Sequence, residues 1–309
     1  MKLKKIFQGD SHFSNFELLA KSIVEGYISG LHKSPFHGFS AEFSEHKIYN
    51  SGESTKHIDW KLFAKTDKLY TKRFQDETNL RSHLIIDQSS SMYYPIQSYK
   101  SDFKYTKIEF SAIACAALLH ILKKQRDAAG MSLYDNKYNF YAPEKGGESH
   151  YRMLVNQLEK SIKIKPKKAT TKTYEILHQI AEKLKRRSLV FIFTDLLQNN
   201  LNAINLFDAL KHLKFNKHEI ILFHVYDKKT ERDFDFNNYP KRFFDVETDS
   251  YIDIFPESIK SQYKKEIKDY FHFFEEKCLQ YKINYVNVDI RRGFSKILNT
   301  FFEKRNKFL

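Results

Sequence analysis

Residues 82–92 read Ser82-His83-Leu84-Ile85-Ile86-Asp87-Gln88-Ser89-Ser90-Ser91-Met92. The first six form a short apolar run closed by an acid, the composition of a strand buried on both faces of a parallel sheet. Just beyond it, the spacing Asp-x-Ser-x-Ser sets a carboxylate and two hydroxyls in one loop. The same phrase returns twice downstream: residues 188–194 (SLVFIFT) are closed by Asp195, and residues 218–226 (HEIILFHVY) by Asp227. Helical patterns occupy residues 104–124, 149–161, 173–187, 200–213, 256–281 and 294–304, with a last strand at 283–290. Residues 128–134 and 137–141 read as two short strands about the turn Asp135-Asn136, and 241–255 as a hairpin. Buried strands alternating with helices predict an α/β fold with a doubly wound, mostly parallel sheet covered on both faces. Ligands of such sheets bind beyond the carboxyl ends of the strands, so the chemistry is expected at that edge.

The first 80 residues read differently. One amphipathic helix is expected over 16–31, followed by an irregular polar stretch with turn signals at Ser34-Pro35 and Asn50-Ser51-Gly52. The expected organisation is an irregular N-terminal α+β extension, residues 1–80, ahead of a sheet domain, residues 81–309. Within the extension Asp59 reads as a helix cap and Trp60, the single tryptophan, as a packed aromatic.

The chain of 309 residues is 41% hydrophobic and 16% aromatic, enough for a sizeable core, which excludes general disorder. With nine glycines and no Walker lysine motif, it is not expected to hydrolyse ATP. Two cysteines, Cys115 and Cys278, make neither a disulfide framework nor a four-cysteine zinc site, and both read as small buried hydrophobes. The 13 histidines show no His-Glu-x-x-His arrangement. The basic start lacks an apolar secretory segment, and the apolar stretch 110–122 is too short to span a bilayer. A cytoplasmic protein without a transmembrane segment is expected.

The net charge of +14 is uneven: the first 80 residues hold 12 basic and 10 acidic groups, the rest 40 and 28. The densest run, residues 160–187, would attract an acidic surface or simply be solvated. It lacks any recognisable nucleic-acid reading module, so nucleic acid is not the expected partner.

Asp87, Ser89 and Ser91 are oxygen donors, suited to a hard cation such as Mg²⁺ or Mn²⁺. Asp195 and a threonine from the loop Ala169-Thr170-Thr171-Lys172-Thr173 are placed to complete the set, with Thr171 favoured by spacing and Thr170 and Thr173 open alternatives. The serines would also suit the cap of a following helix. The Asp-x-Ser-x-Ser loop, the later Thr and the strand-end pair Thr194-Asp195 together resemble the metal-ion-dependent adhesion site of von Willebrand factor A-like domains. The preceding region resembles more specifically the bacterial family called domain of unknown function 58, through Glu42-Phe43, Tyr49, Gly52-Glu53, Ile58-Asp59-Trp60, Ala64-Lys65, Leu69-Tyr70 and Lys72-Arg73-Phe74. Three departures stand out: the loop threonine follows no glycine, Leu196 replaces the glycine often found after the strand-end Asp, and Lys56-His57 stands where Arg is usual. The resemblance implies a von Willebrand factor A-like fold and a Mg²⁺ site of Asp87, Ser89, Ser91, Thr171 and Asp195. It also implies a MoxR-type AAA+ ATPase partner in a chaperone-like assembly system. The expected function is therefore non-catalytic, Mg-dependent protein binding, in which an acidic partner surface presents an Asp or Glu to the metal, with no small-molecule substrate. Alternatives are a metal-dependent phosphoesterase, disfavoured because the loop has no second acid, and a basic nucleic-acid-binding protein.

Overall fold

The computed structural model describes residues 15–30, 43–49, 58–74, 80–95, 105–163, 173–197, 200–244 and 250–305. The chain divides into a larger unit, Met1–Tyr27 with Leu80–Leu309, and a smaller one, Ile28–Asn79.

In the smaller unit, β1 (Phe43–Ile48) pairs antiparallel with β2 (Tyr70–Phe74). A seven-residue helix, α2 (Trp60–Thr66), follows Asp59, whose carboxylate accepts the Lys61 and Leu62 N–H groups at 3.1 and 3.2 Å. The capping role read from the sequence is thus present. The packed tryptophan is not: Trp60 is 61% exposed. As the first residue of a helix with no buried side chain, its ring meets Phe63 edge-on at 6.2 Å, the one aromatic contact it makes among the described residues. Trp60→Ala should therefore change stability by no more than about 0.5 kcal/mol in denaturant titration. A loss of several kcal/mol would show the ring to be covered.

The larger unit begins at α1 (Asn15–Ser29), where Phe16, Ala20 and Val24 recur every fourth residue and are buried. Then come β3 (Arg81–Asp87), α3 (Lys107–Lys124), β4 (Ala128–Tyr134), β5 (Tyr138–Lys145), α4 (Glu148–Lys163), α5 (Thr173–Lys183), β6 (Leu189–Thr194), α6 (Asn200–Phe215) and β7 (Glu219–Tyr226). The hairpin β8 (Lys241–Phe244) and β9 (Tyr251–Ile254), α7 (Pro256–Gln280), β10 (Asn284–Asp289) and α8 (Ser295–Arg305) complete it. The sheet order is β10-β7-β6-β3-β4-β5, all parallel except β5. Every residue of β6 is buried, as its unbroken apolar run requires. One face carries α5, α6 and α7 over Ile85, Val190, Ile192, Ile220 and Leu222. The other carries α8, whose Phe301 ring lies 6.0 Å from Phe191. Cys115 in α3 and Cys278 in α7 are buried free thiols, as read.

The topology explains why β3 and β6 matter. From β3 the chain moves to β4 and β5 on one side, then returns to β6 on the other. The strand order reverses between β3 and β6, so their carboxyl ends flank the crevice of a doubly wound sheet.

At the opposite end of the sheet the β4 backbone passes tightly under β5. A Cβ on Gly130 would stand 2.6 Å from His83 Nδ1, 2.8 Å from the Ala142 carbonyl oxygen and 2.9 Å from the Glu144 nitrogen. Two of those neighbours are ladder backbone and cannot swing aside. Gly130→Ala should cost at least about 1–3 kcal/mol, read as a lowered denaturation midpoint. A neutral effect would refute this close approach.

Candidate metal centre

Three strands deliver an acid to the carboxyl edge because each ends where its apolar run ends. Asp87 closes β3 and is buried; its Oδ1 accepts the Ser89 N–H at 2.8 Å and its Oδ2 the Thr194 hydroxyl at 2.8 Å. Ser89 Oγ lies 3.1 Å from Ser91 Oγ, and the Ser91 hydroxyl is near enough to the Asp195 carboxyl to help lower its pKa, after the larger effects of burial, which raises it, and Lys107, which lowers it. Ser89 precedes a short helical turn, Ser90–Tyr93, yet its side chain makes no capping bond. Its hydroxyl is directed to the Ser91–Asp195 group instead, so the capping alternative does not account for it. Asp87, Ser89, Ser91 and Asp195 thus come together. Thr170 and Thr171 lie outside the described residues, while Thr173 is the fully buried first residue of α5.

Asp195 is followed by Leu196, which has φ +55° and is fully buried in the core beneath α6. This is the left-handed conformation that glycine adopts without strain. Leucine takes it here with its side chain held in the apolar cluster.

A lysine forms the other wall. Lys107, the first residue of α3, is fully buried; its Nζ lies 2.8 Å from Asp195 Oδ2 and 2.6 Å from Glu231 Oε1. Burial opposes its charge, but Asp195 and Glu231 outweigh that and hold the ammonium above its ordinary range. Burial would likewise raise Asp195, yet Lys107 holds it below the usual carboxylate range. Glu231 belongs to a helical turn, Lys228–Arg232, and its Oε2 accepts the Asp227 N–H at 2.6 Å. Asp227 is fully buried, bonds the Thr230 N–H at 3.1 Å and pairs with Arg291. The third strand-end acid is therefore a capping and ion-pairing residue, not a member of the Asp87 group.

Sequence reading missed Lys107 and Glu231. A signal was available for the first: a lysine opening a helix meets the positive end of the macrodipole, and an unfavourable placement of that kind implies a specific counter-ion. Nothing local marked Glu231, 124 residues further along.

The donor set fits a small divalent cation. It consists only of oxygens, two of them carboxylates. Burial first, and then the negative Asp195, push Asp87 up to about 7. Where two acids stand so close that one resists ionising, a bound cation would relieve their mutual repulsion. Among the described residues no group of three or more His, Cys, Asp or Glu side chains is arranged around one ion, so hydroxyls must supply the remaining donors.

A second polar cluster lies toward the opposite edge. His83 Nδ1 is 2.7 Å from Glu144 Oε1, and His83 Nε2 is 2.7 Å from Ser132 Oγ. The order of partners is that of a hydrolase triad, but Ser132 and His83 are fully buried within the sheet. No substrate carbonyl reaches Ser132, so the cluster ties β3, β4 and β5 together.

The basic run of the sequence is split. Lys185, Arg186 and Arg187 precede β6 and stand at the amino edge of the sheet, away from Asp195, whereas Lys183 reaches back over the ring of Tyr138 at 4.3 Å, a residue paired with Tyr134 at the end of β4. Lys160 and Lys163 close α4, whose start lies at the amino edge, where the His150 ring bonds the Ala129 carbonyl. The helix thus runs from the amino edge toward the carboxyl edge. Lys167 and Lys168 lie outside the described residues.

Residues 45–270 match the family described as "Protein of unknown function DUF58". The chain belongs to this family. Uncharacterized proteins of Mycobacterium tuberculosis and Mycobacterium bovis are 19% identical over 213 residues, covering 69% of this chain and 63% of theirs. The DUF58 chain thus spans less than two thirds of the length of these curated relatives. Among solved structures, an aerotolerance-related membrane protein from Bacteroides fragilis covers 73% of this chain and 99% of its own at 18% identity, TM-score 0.42. An uncharacterized membrane-spanning protein from Vibrio fischeri covers 72% and 96% at 10% identity, TM-score 0.24. Among the described residues of this DUF58 protein no helix is long and apolar enough to cross a membrane.

Proposed function

We propose that this DUF58 protein is a non-catalytic, Mg²⁺-dependent protein-binding module with a von Willebrand factor A-like sheet domain. Its metal-ion-dependent adhesion site comprises Asp87, Ser89, Ser91, Asp195 and a threonine of the 170–173 loop, with Thr171 the first choice. The observation that carries the reading is the meeting of Asp87, Ser89, Ser91 and Asp195 at the β3–β6 crevice. Mg²⁺ bound there would offer a coordination position to a carboxylate of a partner protein. The protein's own residues supply neutral hydroxyls and a pair of buried acids, and no second acid in the loop to activate water. The site is therefore read as binding without bond cleavage. By family resemblance the partner proposed is a MoxR-type AAA+ ATPase in a chaperone-like system, acting in the cytoplasm.

Two measurements test this. Capture of the ATPase from solution should require Mg²⁺ and fail with EDTA or with Ser89→Ala. Indifference to both would remove the adhesion-site mechanism.

The second is a pH profile. In the cation-free protein Asp87 keeps its proton up to about pH 7, above the ordinary carboxylate range. Between its ordinary value and about 7 the folded state holds a proton that the unfolded chain lacks. Its contribution to stability is thus full at low pH and is lost as pH rises through about 7. Mg²⁺ must displace that proton, so its affinity should fall about tenfold per pH unit below 7, with about one proton released per ion in calorimetry. Binding that is flat from pH 5.5 to 8 would contradict it.

A further inference from the structure

Resting on the proposed metal site, the geometry points to Lys107 as the residue that makes cation binding at Asp87 and Asp195 conditional on a carboxylate supplied by the partner. Without Lys107, two buried acids and several hydroxyls would make a site able to keep a divalent ion unaided. With it, a fixed positive charge stands 2.8 Å from Asp195 Oδ2, inside the wall of the same pocket. The other Asp195 oxygen, Oδ1, already accepts the Leu197 N–H at 3.3 Å. Asp195 is therefore engaged on both oxygens, and an incoming cation must share it with an ammonium.

Lys107 cannot move away cheaply. Its side chain is fully buried, the far side of its Nζ is held by Glu231 at 2.6 Å, and Glu231 is itself bonded to the Asp227 N–H. The charge is built into the pocket wall and does not behave as a surface lysine that swings into solvent. Its charge therefore opposes a divalent ion in the free protein. A carboxylate arriving on the open side of the ion supplies the missing negative charge, so ion and partner bind together and each strengthens the other by the same factor. The chemistry this assigns to the partner is one exposed Asp or Glu. Its product is a site that stays empty in a cell containing Mg²⁺ until that acid is presented.

The probe is Mn²⁺ with acetate as the stand-in for the partner carboxylate, measured on the full chain by electron paramagnetic resonance. Acetate is exchanged against chloride at constant ionic strength. Mn²⁺ affinity of the unaltered protein should rise about tenfold between no acetate and saturating acetate. The double variant Lys107→Met with Glu231→Gln removes the ammonium together with its outer counter-ion, leaving the local net charge unchanged. It should bind Mn²⁺ about tenfold more tightly without acetate and gain little from it. Acetate-independent Mn²⁺ binding by the unaltered protein overturns the inference while leaving the metal site standing. So does an unchanged acetate dependence in the double variant. Binding that is absent under all conditions, or unaffected by Ser89→Ala, overturns the metal site itself and the inference with it. If the double variant does not fold, Glu231→Gln alone leaves the ammonium without its outer counter-ion and should enlarge the acetate dependence; an unchanged dependence overturns the inference.

Discussion

Lys107→Met alone should cost about 3–5 kcal/mol, the loss expected when one partner of a buried ion pair is removed and the other charge is left behind. Here two are left behind. Asp195 and Glu231 lie 2.8 and 2.6 Å from the same Nζ, with side chains 4% and 19% exposed. Removing the ammonium deprives both of their counter-ion in a site that water barely reaches. Methionine matches the length of the aliphatic stem, so the apolar contacts of α3 are retained and the electrostatic effect is isolated. The measurement is the unfolding free energy at pH 7 from denaturant titration. The deficit should narrow at lower pH, where the two acids take up protons in the variant. A loss below about 1 kcal/mol would mean that the ammonium does not organise this pocket. Removing Glu231 as well, as Glu231→Gln, should recover part of the loss, because only one uncompensated acid then remains.

Asp87→Ala should abolish the response of the protein to Mg²⁺. Asp87 joins both sides of the crevice: its Oδ1 orders the Ser89 backbone and its Oδ2 holds Thr194 at the end of the neighbouring strand. Truncation takes away a charged donor and releases the loop that carries the two serines. A ligand that binds only the folded state stabilises it by about 2.7 kcal/mol at a hundredfold excess over its dissociation constant. The unaltered protein should show a stabilisation of that size when Mg²⁺ is raised from an EDTA-treated baseline with saturating acetate present. The variant should show none at the same concentrations. Equal shifts in the two proteins would place any bound ion elsewhere. Asp87→Asn separates charge from shape. It keeps an oxygen for the Ser89 N–H but not the negative charge, so it should fold and still fail to respond.

Much of the fold was legible because the strands are buried on both faces. The apolar run of residues 188–194 has no polar residue to disturb it, and it forms β6 with every residue covered. Asp87 and Asp195 were legible as strand-end acids for the same reason, since an acid closing such a run must leave the sheet at its carboxyl edge. The helix at 173–183 ends earlier than its sequence pattern suggested, because Lys185, Arg186 and Arg187 extend a polar face without adding buried contacts. Trp60 shows the opposite error. A lone tryptophan reads as a core residue, but its seven-residue helix buries none of its side chains.

Local sequence determined the strands, the helices between them and the oxygen donors of the Asp-x-Ser-x-Ser loop, since each depends on neighbours within a few residues. The sheet order itself was not read from the sequence; parallel strands joined by helices only narrow the topologies available. What only the tertiary structure decided is the charge of the pocket. Lys107 meets Asp195 across 88 residues and Glu231 across 124, and those pairings depend on α3 starting beside the end of β6 and on the turn after β7 folding back over both. No periodicity encodes a contact between side chains so far apart, for it arises only when the strands are set in the order β7-β6-β3. The same holds for Gly130, whose need for a bare Cα comes from the β5 backbone lying against it. Short-range patterning builds the edge on which the donors stand, and long-range packing sets the electrostatic field they share.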